Sequence, residues 1–463
     1  MRQSIERFRA SVTGKLAFVG VLVLVLLIPL GMIEGLIAER AQHKLTAAAD
    51  IANSWGGAQT IGGPILVVPF RYKLSQSNTG TQTVMDELYV LPQELEIAGE
   101  ATTEVLRRGL YTVPVYNTTL SVNGLARPAT LNAADYPELE ILWGDAVFAL
   151  PLADPRSIRA PVRMTLGGTA VDFQAGGTRV AGFGNQLVAP LAAFGLDRLE
   201  APTAFSFDLT IAGTETLRFL PLGAVTRVRL ESDWPSPRFT GAFLPEQRTI
   251  AESGFSATWR VLDLGRGYPS TWKRSDGAPQ QQAYAYATPA MAPVMAGQLG
   301  GVPTATFGVD LLVPIGVHEA SARAVKYAVL FLALTFVTYF LFEVFASLRL
   351  HALQYLSVGL ANCMFYLLLV ALGEHIGFGL AYIASAAASI VLLGGYSAAI
   401  LKSWRRAGPM IAMLTAVYGY LYATLLAEDF ALLGGTVGLF AILVAFMYLT
   451  RHVDWYAVSL EKA

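Results

Sequence analysis

One cysteine, Cys363, stands in the whole chain, so no intramolecular disulfide can form. Histidine is almost as scarce. There are five, and none lies between Trp55 and Asp310. That gap removes Ser-His-Asp and Cys-His catalysis from the middle of the chain, where only His43 and His318 at its edges could serve. His318-Glu319 is followed by Ala-Ser-Ala, which returns no second ligand to the same helical face, so no zinc motif is present. Phosphate-binding and dinucleotide-binding glycine motifs are missing too. Charge is also low. Charged residues make up 14% of the chain, against about 25% in soluble domains. With 33 basic and 34 acidic residues, nothing marks a nucleic-acid binder. The expectation is a non-enzymatic protein without metal or cofactor. A carboxylate-pair hydrolase of the glycosidase type stays open, because Asp and Glu are scattered throughout.

What the chain has instead is long uncharged runs. Ala352 to Gly373 carries no charge, Glu374-His375 follows, and Ile376 to Leu401 is again uncharged. Two such runs joined by a short polar break read as a transmembrane helical hairpin. Lipid offers no partner for open backbone groups, so an exposed sheet cannot replace it. Arg2, Arg7, Arg9 and Lys15 precede another uncharged run, Leu16 to Ile33. That run exceeds the ~7–15 apolar residues of a signal peptide and lacks an Ala-x-Ala site, so it reads as an uncleaved anchor. Further spans are expected near Tyr327–Leu348, Tyr355–Gly373, Ile376–Leu401, Pro409–Ala427 and Phe430–Leu449, six in all with the anchor.

Loop charges orient these spans. Arg349, then Lys402, Arg405 and Arg406, then Arg451 fall at alternate ends, and Glu374-His375 and Glu428-Asp429 at the others. Basic loops stay inside, so both termini are expected in the cytoplasm.

Between anchor and bundle the pattern changes. A polar helical stalk continues to Asn53 and Gly56-Gly57 end it. Short strand-like runs broken by Gly, Pro, Asn and Asp then extend to about residue 312. Phe205, Phe207, Leu209 and Ile211 alternate with polar residues, as do Thr226, Val228 and Leu230 with Arg227, Arg229 and Glu231. This stretch reads as an antiparallel meander with turns at Gly213 and Gly223. Residues 232–245 read as an aromatic, proline-punctuated loop, and a Gly/Ala/Pro/Gln segment to about Thr304 as a linker or long surface loop. The expected architecture is an α-helical polytopic membrane protein with a large, mainly β extracytoplasmic domain between helix 1 and helix 2. Its segments are a basic N-terminus (1–15), anchor (16–37), stalk (38–57), periplasmic β-rich domain with linker (58–326), five-helix block (327–449) and cytoplasmic tail (450–463).

Several short motifs carry a resemblance along nearly the full length. They are Glu39-Arg40-Ala41, Gly63-Pro64, Asp154-Pro155-Arg156, Trp234-Pro235 through Leu244-Pro245, Ser253-Gly254-Phe255 with Trp259, and Arg349-Leu350-His351. Gln354-Tyr355-Leu356, Met364 to Leu369, Glu374-His375, Gly377-Phe378 and Asp454-Trp455-Tyr456 follow. The chain resembles the inner-membrane protein CreD family. Family members often have His-Pro where this chain has Ser236-Pro237 and His351-Ala352. The resemblance implies an inner-membrane protein of Gram-negative bacteria that maintains the envelope and is produced under a two-component regulatory system. It implies no catalytic or binding residue.

Candidate functional residues follow from position. Glu343 is the only acidic residue well inside an expected span, where ionisable groups are costly. It either faces a polar crevice or reaches the cytoplasmic interface near Arg349 and His351. Asn362 is a polar residue within another span. Glu374, His375, Glu428 and Asp429 form an acidic outer rim, a docking surface for the β-rich domain, or ordinary solvated loops. Asp154, Arg156 and Trp234 are contact candidates in the β-rich part, or turn and core residues. Ala381, Ser385 and Ser389, and Gly434 with Gly438, have the small-residue spacing that lets helices approach, within one chain or between copies of a homo-oligomer.

Three readings remain. The first is an envelope-integrity protein whose periplasmic domain engages an envelope protein or lipid-linked component. The second is a transporter or lipid-handling protein using Glu343 and Asn362. The third is a stress sensor acting by helix movement. The lipid bilayer is common to all three.

Overall fold

The computed structural model describes residues 12–76, 80–109, 111–177, 179–196, 199–277, 305–311, 317–345 and 350–426, with 436–438, 440, 444, 447, 448 and 451. The chain divides into two compact units, Thr46–Pro314 and Met1–Leu45 with Ile315–Ala463.

The helical unit begins with α1, Val12–Trp55, a helix that continues past the unit boundary. Leu22, Leu26, Leu30, Ile33 and Ile37 recur every three or four residues and are buried. Val21, Leu24, Val25, Ile28 and Met32 on the other face stay exposed, an apolar outer face of the kind that suits a helix crossing a membrane. Beyond the strand-rich unit come α2, Val317–Lys326, and α3, Ala328–Phe345, bent by 43° at Tyr327. Then follow α4, Ala352–Ile376, α5, Phe378–Leu401, and α6, Trp404–Leu426. Among the described residues, α1, α4, α5 and α6 are each long and apolar enough to cross a membrane, and α2–α3 makes a fifth if the bent pair is one span. The expected span at Phe430–Leu449 lies largely outside the described residues.

The α4–α5 hairpin corrects one detail of the sequence reading. Glu374 and His375 are not the turn but the last turn of α4, and the reversal falls at Gly377 with φ 78°. Glycine carries that conformation without strain. Lipid tails are as apolar as leucine, so these helices associate by close packing rather than by hydrophobic transfer. Gly359 of α4 illustrates this. A Cβ there would strike Leu26 of α1 and Phe336 of α3. Ala381, Ser385 and Ser389 all face inward, at 0, 0 and 4% exposure. Gly438 lies against the Tyr420 ring, and Gly434 is outside the described residues.

The strand-rich unit contains an eight-stranded, a seven-stranded and a four-stranded sheet. Residues from all three share one hydrophobic core. Strand Glu94–Arg108 alternates as expected of a half-buried strand, with Leu95 and Ile97 inward. It pairs antiparallel with Tyr111–Ala126 and parallel with Val225–Ser232. Two sequence expectations fail here. The stretch 205–231 is not a meander. Thr203–Thr214 pairs with Tyr111–Ala126 and Arg163–Leu166, while Thr216–Phe219 leaves for the four-stranded sheet. The break falls at Glu215, φ 58°, not at Gly213. Periodicity gave the faces of these strands correctly but is silent on partners.

Residues 232–245 are not all loop either. Pro237–Gly241 forms the edge strand of the four-stranded sheet, on Phe307–Leu311. Proline is tolerated as the first residue of an edge strand, and the pairing places Phe239 against Phe255 and Trp259. The Gly/Ala/Pro/Gln segment at 278–304 is outside the described residues.

Candidate functional site: buried polar groups of the helical unit

Glu343 is buried, 2% exposed, near the end of α3. The Tyr355 hydroxyl donates to its carboxylate at 3.0 Å and the Leu350 N–H at 3.4 Å. Tyr355 sits in the first turn of α4, so this contact fastens the end of α3 to the start of α4. Beside it Tyr339 of α3 meets Ser397 of α5 at 2.6 Å. A cavity of about 10 Å³ is lined by Tyr339, Glu343, Leu350, Ser397, Ile400, Leu401 and Met410. That volume is at the lower limit for one water molecule, too small for a passing solute. Arg349 lies outside the described residues. His351 caps α4: its Nδ1 accepts from the Leu353 N–H, and Gln354 accepts from the His351 N–H. This is a reciprocal capping pair.

At the opposite end of α4, Glu374 is 8% exposed and faces Arg40 of α1 at 3.6 Å. Two of the separately recognised motifs, around Arg40 and around Glu374, thus meet in space. His375 is exposed, with its Nδ1 3.1 Å from the Ala371 carbonyl. Glu428 and Asp429 lie outside the described residues.

Asn362 differs from all of these. It is 1% exposed, and neither Oδ1 nor Nδ2 has a hydrogen-bonding partner among the described residues. The hydroxyls of Tyr366 and Ser385 share that condition. Tyr366, Tyr382 and Tyr418 all pack on the Phe365 ring, with centroids 4.8, 5.4 and 4.7 Å from it, and Tyr382 donates to the Tyr418 carbonyl at 2.7 Å. The Tyr418 hydroxyl likewise makes no hydrogen bond of proper geometry among the described residues. Sequence reasoning passed over Tyr355, Tyr366, Tyr382 and Tyr418. Each is a polar outlier in an uncharged run, and that was the available signal.

The strand-rich candidates have local roles. Asp154 accepts from the Arg156 N–H and, in a fork, from its guanidinium at 2.9 Å through both oxygens. It also accepts from the Gly57 N–H at 3.4 Å. The Arg156 guanidinium, with these N–H groups, holds the Asp154 carboxyl below the ordinary 3.8, against the opposing pull of partial burial. Trp234 is buried in the core and donates to the Ser236 carbonyl. Among the described residues no three His, Cys, Asp or Glu side chains are grouped to hold a metal.

The sequence model described as "Inner membrane protein CreD" matches residues 11–456. The chain belongs to the CreD family. It is 31% identical over 447 residues to "Inner membrane protein CreD" of Escherichia coli strain K12, covering 95% of this chain and 93% of that protein. The helical unit is therefore that of a CreD-family membrane protein, and its apolar outer faces are in keeping with an inner-membrane location.

Proposed function

We propose that this CreD-family protein supports cell-envelope integrity without catalysis, by holding its strand-rich unit in the periplasm to engage an envelope protein or a lipid-linked component. The observation behind this reading is the build of the chain. A unit with one continuous hydrophobic core is inserted between α1 and the later membrane-suited helices. The side chains nominated as catalytic or contact residues in it, Asp154, Arg156 and Trp234, are engaged in local turns and core.

Charge orients the chain in the same sense. Lys402, Arg405 and Arg406 gather at the α5–α6 junction, while Glu374 lies at the other end of α4–α5. Cytoplasmic basic residues at that junction put the Gly377 turn outside. Counting back through α4, α3 and α1 puts residues 46–314 outside and the N-terminus inside.

The test is complementation of a deletion strain under envelope challenge, using the full chain and residues 46–314 carried on α1 alone. Rescue by the anchored unit supports the reading. Turnover of an envelope polymer by the purified protein would overturn its non-catalytic part. Failure of an anchored unit that is present and folded would move the function into the helical unit.

A further inference from the structure

Among the described residues, no large apolar side chain is more exposed than Leu264, at 92%. Leu244, Ile250 and Leu262 are exposed as well, at 64, 51 and 44%. All four lie on one hairpin of the strand-rich unit, made of strands Gln247–Ala251 and Gly254–Leu262 and the residues that flank them. Gly265 lies against the Phe243 ring, which brings Leu244 and Leu264 to the same end of the hairpin. Single exposed leucines are ordinary, but a group of them marks a contact surface.

Gln247–Ala251 is also an edge of the eight-stranded sheet. It pairs on one side only, and every residue of it is exposed. Open N–H and C=O groups of this kind recruit another strand unless they are blunted. The other edges are blunted. Gln59–Ile61 and Thr271–Lys273 are three residues long, Pro237 opens Pro237–Gly241, and the register of Gln174–Gly177 is broken. Thr169–Asp172 is four residues long and ends in a fork between Arg163 and Asp172. Gln247–Ala251 runs in unbroken register and contains no proline. Its one guard is Arg248, exposed and without an ion-pair partner among the described residues.

We propose that this edge takes up an extended segment of a partner protein as an added strand, and that the segment carries a carboxylate between aliphatic residues. The proposal names the surface by which the strand-rich unit engages its partner, and so rests on the proposed function. Side chains two apart on a strand share a face, so Arg248 and Ile250 project together. A strand laid beside them sets one of its own side chains opposite each. A carboxylate answers Arg248 and an aliphatic group answers Ile250. A second aliphatic group, on the other side of the carboxylate, runs toward the Leu244 and Leu264 end. Arg248 repels a strand that brings a base there and pairs with one that brings an acid, so the guard of the edge is also its selector. Added strands are a recurring mode of peptide recognition, with backbone groups giving affinity and side chains giving specificity. A lipid surface would cover the leucines but offer the open backbone groups no partner.

The test is fluorescence anisotropy of a labelled peptide, Thr-Val-Thr-Glu-Thr-Val-Thr, titrated with the full-length protein in lipid nanodiscs. Its symmetry serves parallel and antiparallel pairing alike. Saturable binding is expected, about fivefold weaker when lysine replaces the glutamate. Arg248→Glu should invert that preference, which a variant that fails to fold cannot do. Ile250→Asp should weaken the glutamate peptide about fivefold. Binding no greater than to empty nanodiscs overturns the proposal and leaves the leucines to a lipid contact. A preference that Arg248→Glu leaves unmoved overturns it too. So does a protein that is dimeric by mass photometry, turns monomeric with Ile250→Asp and takes up the peptide in neither state, which would assign the edge to a second copy. Binding is read on purified protein, so its failure stands apart from a failure of rescue, which bears on the proposed function.

Discussion

Two buried carboxamides show how differently the two units are built. Gln186, in the strand-rich unit, is 2% exposed and fully used. Its Oε1 accepts from the N–H groups of Arg179 and Val180, and its Nε2 donates to the carbonyls of Val180 and Gly184. Asn362, in the helical unit, is as deeply buried and its amide has no hydrogen-bonding partner among the described residues. Arg266 and Tyr355 extend the contrast. Arg266 sits at 3% exposure with its guanidinium spread over the carbonyls of Pro221, Leu222, Gly223 and Tyr268 and the Ser270 hydroxyl. Tyr355 makes a single hydrogen bond, to Glu343. A strand-rich unit has irregular loops whose carbonyls need donors, and buried side chains supply them. Helices satisfy most of their own backbone, so a polar side chain inside a bundle meets few free groups: another side chain, a helix carbonyl that accepts a second time, as that of Tyr418 does from Tyr382, or water.

The chain carries its own probes for breaking this contrast. Five of its seven tryptophans, Trp55, Trp143, Trp234, Trp259 and Trp272, belong to residues 46–314. Their fluorescence reports that unit, while the buried thiol of Cys363 reports opening of the helical unit. The largest effect is expected for Arg266→Met. Four carbonyls and a hydroxyl lose their shared donor, and the fluorescence transition should weaken by about 4 kcal/mol. Tyr355→Phe should bring forward Cys363 labelling by about 2 kcal/mol, because a hydrogen bond to a buried carboxylate is lost. The tryptophan transition should not move with it.

Asp154→Ala removes the cap of the single 3-10 turn Pro155–Ser157 and should cost the strand-rich unit about 1 kcal/mol at neutral pH. Its pH dependence has a definite sign. The native carboxyl sits below the ordinary 3.8, so its contribution is complete above that value. It fades as pH falls from there through the lower native value. Wild type and variant should therefore converge in acid, which melts at stepped pH would show.

How much of this could be read from sequence depends on the kind of contact. Uncharged runs marked α1, α4, α5 and α6 because their signal is local, and so did the alternation at Phe205 to Ile211. The strand partners of Thr216–Phe219 and Pro237–Gly241 were not legible, since pairing across a hundred residues leaves no local trace. Pro235 and Pro237 hid an edge strand behind turn chemistry. Among candidate residues, Glu343 and Asn362 stood out as polar groups in apolar runs. Their surroundings did not. Nothing in spacing says that Tyr355 reaches Glu343, that Arg40 meets Glu374, or that Asn362 meets no hydrogen-bonding partner among the described residues.

The most direct test of the contrast is one matched pair of substitutions, Gln186→Leu and Asn362→Leu, each followed by the probe native to its unit. Gln186→Leu strands two N–H groups and two carbonyls and should weaken the tryptophan transition by about 3 kcal/mol. Asn362→Leu breaks no side-chain hydrogen bond among the described residues and should shift Cys363 labelling by less than about 1 kcal/mol. Equal losses in the two units would contradict the account, because Asn362 would then hold protein partners as Gln186 does.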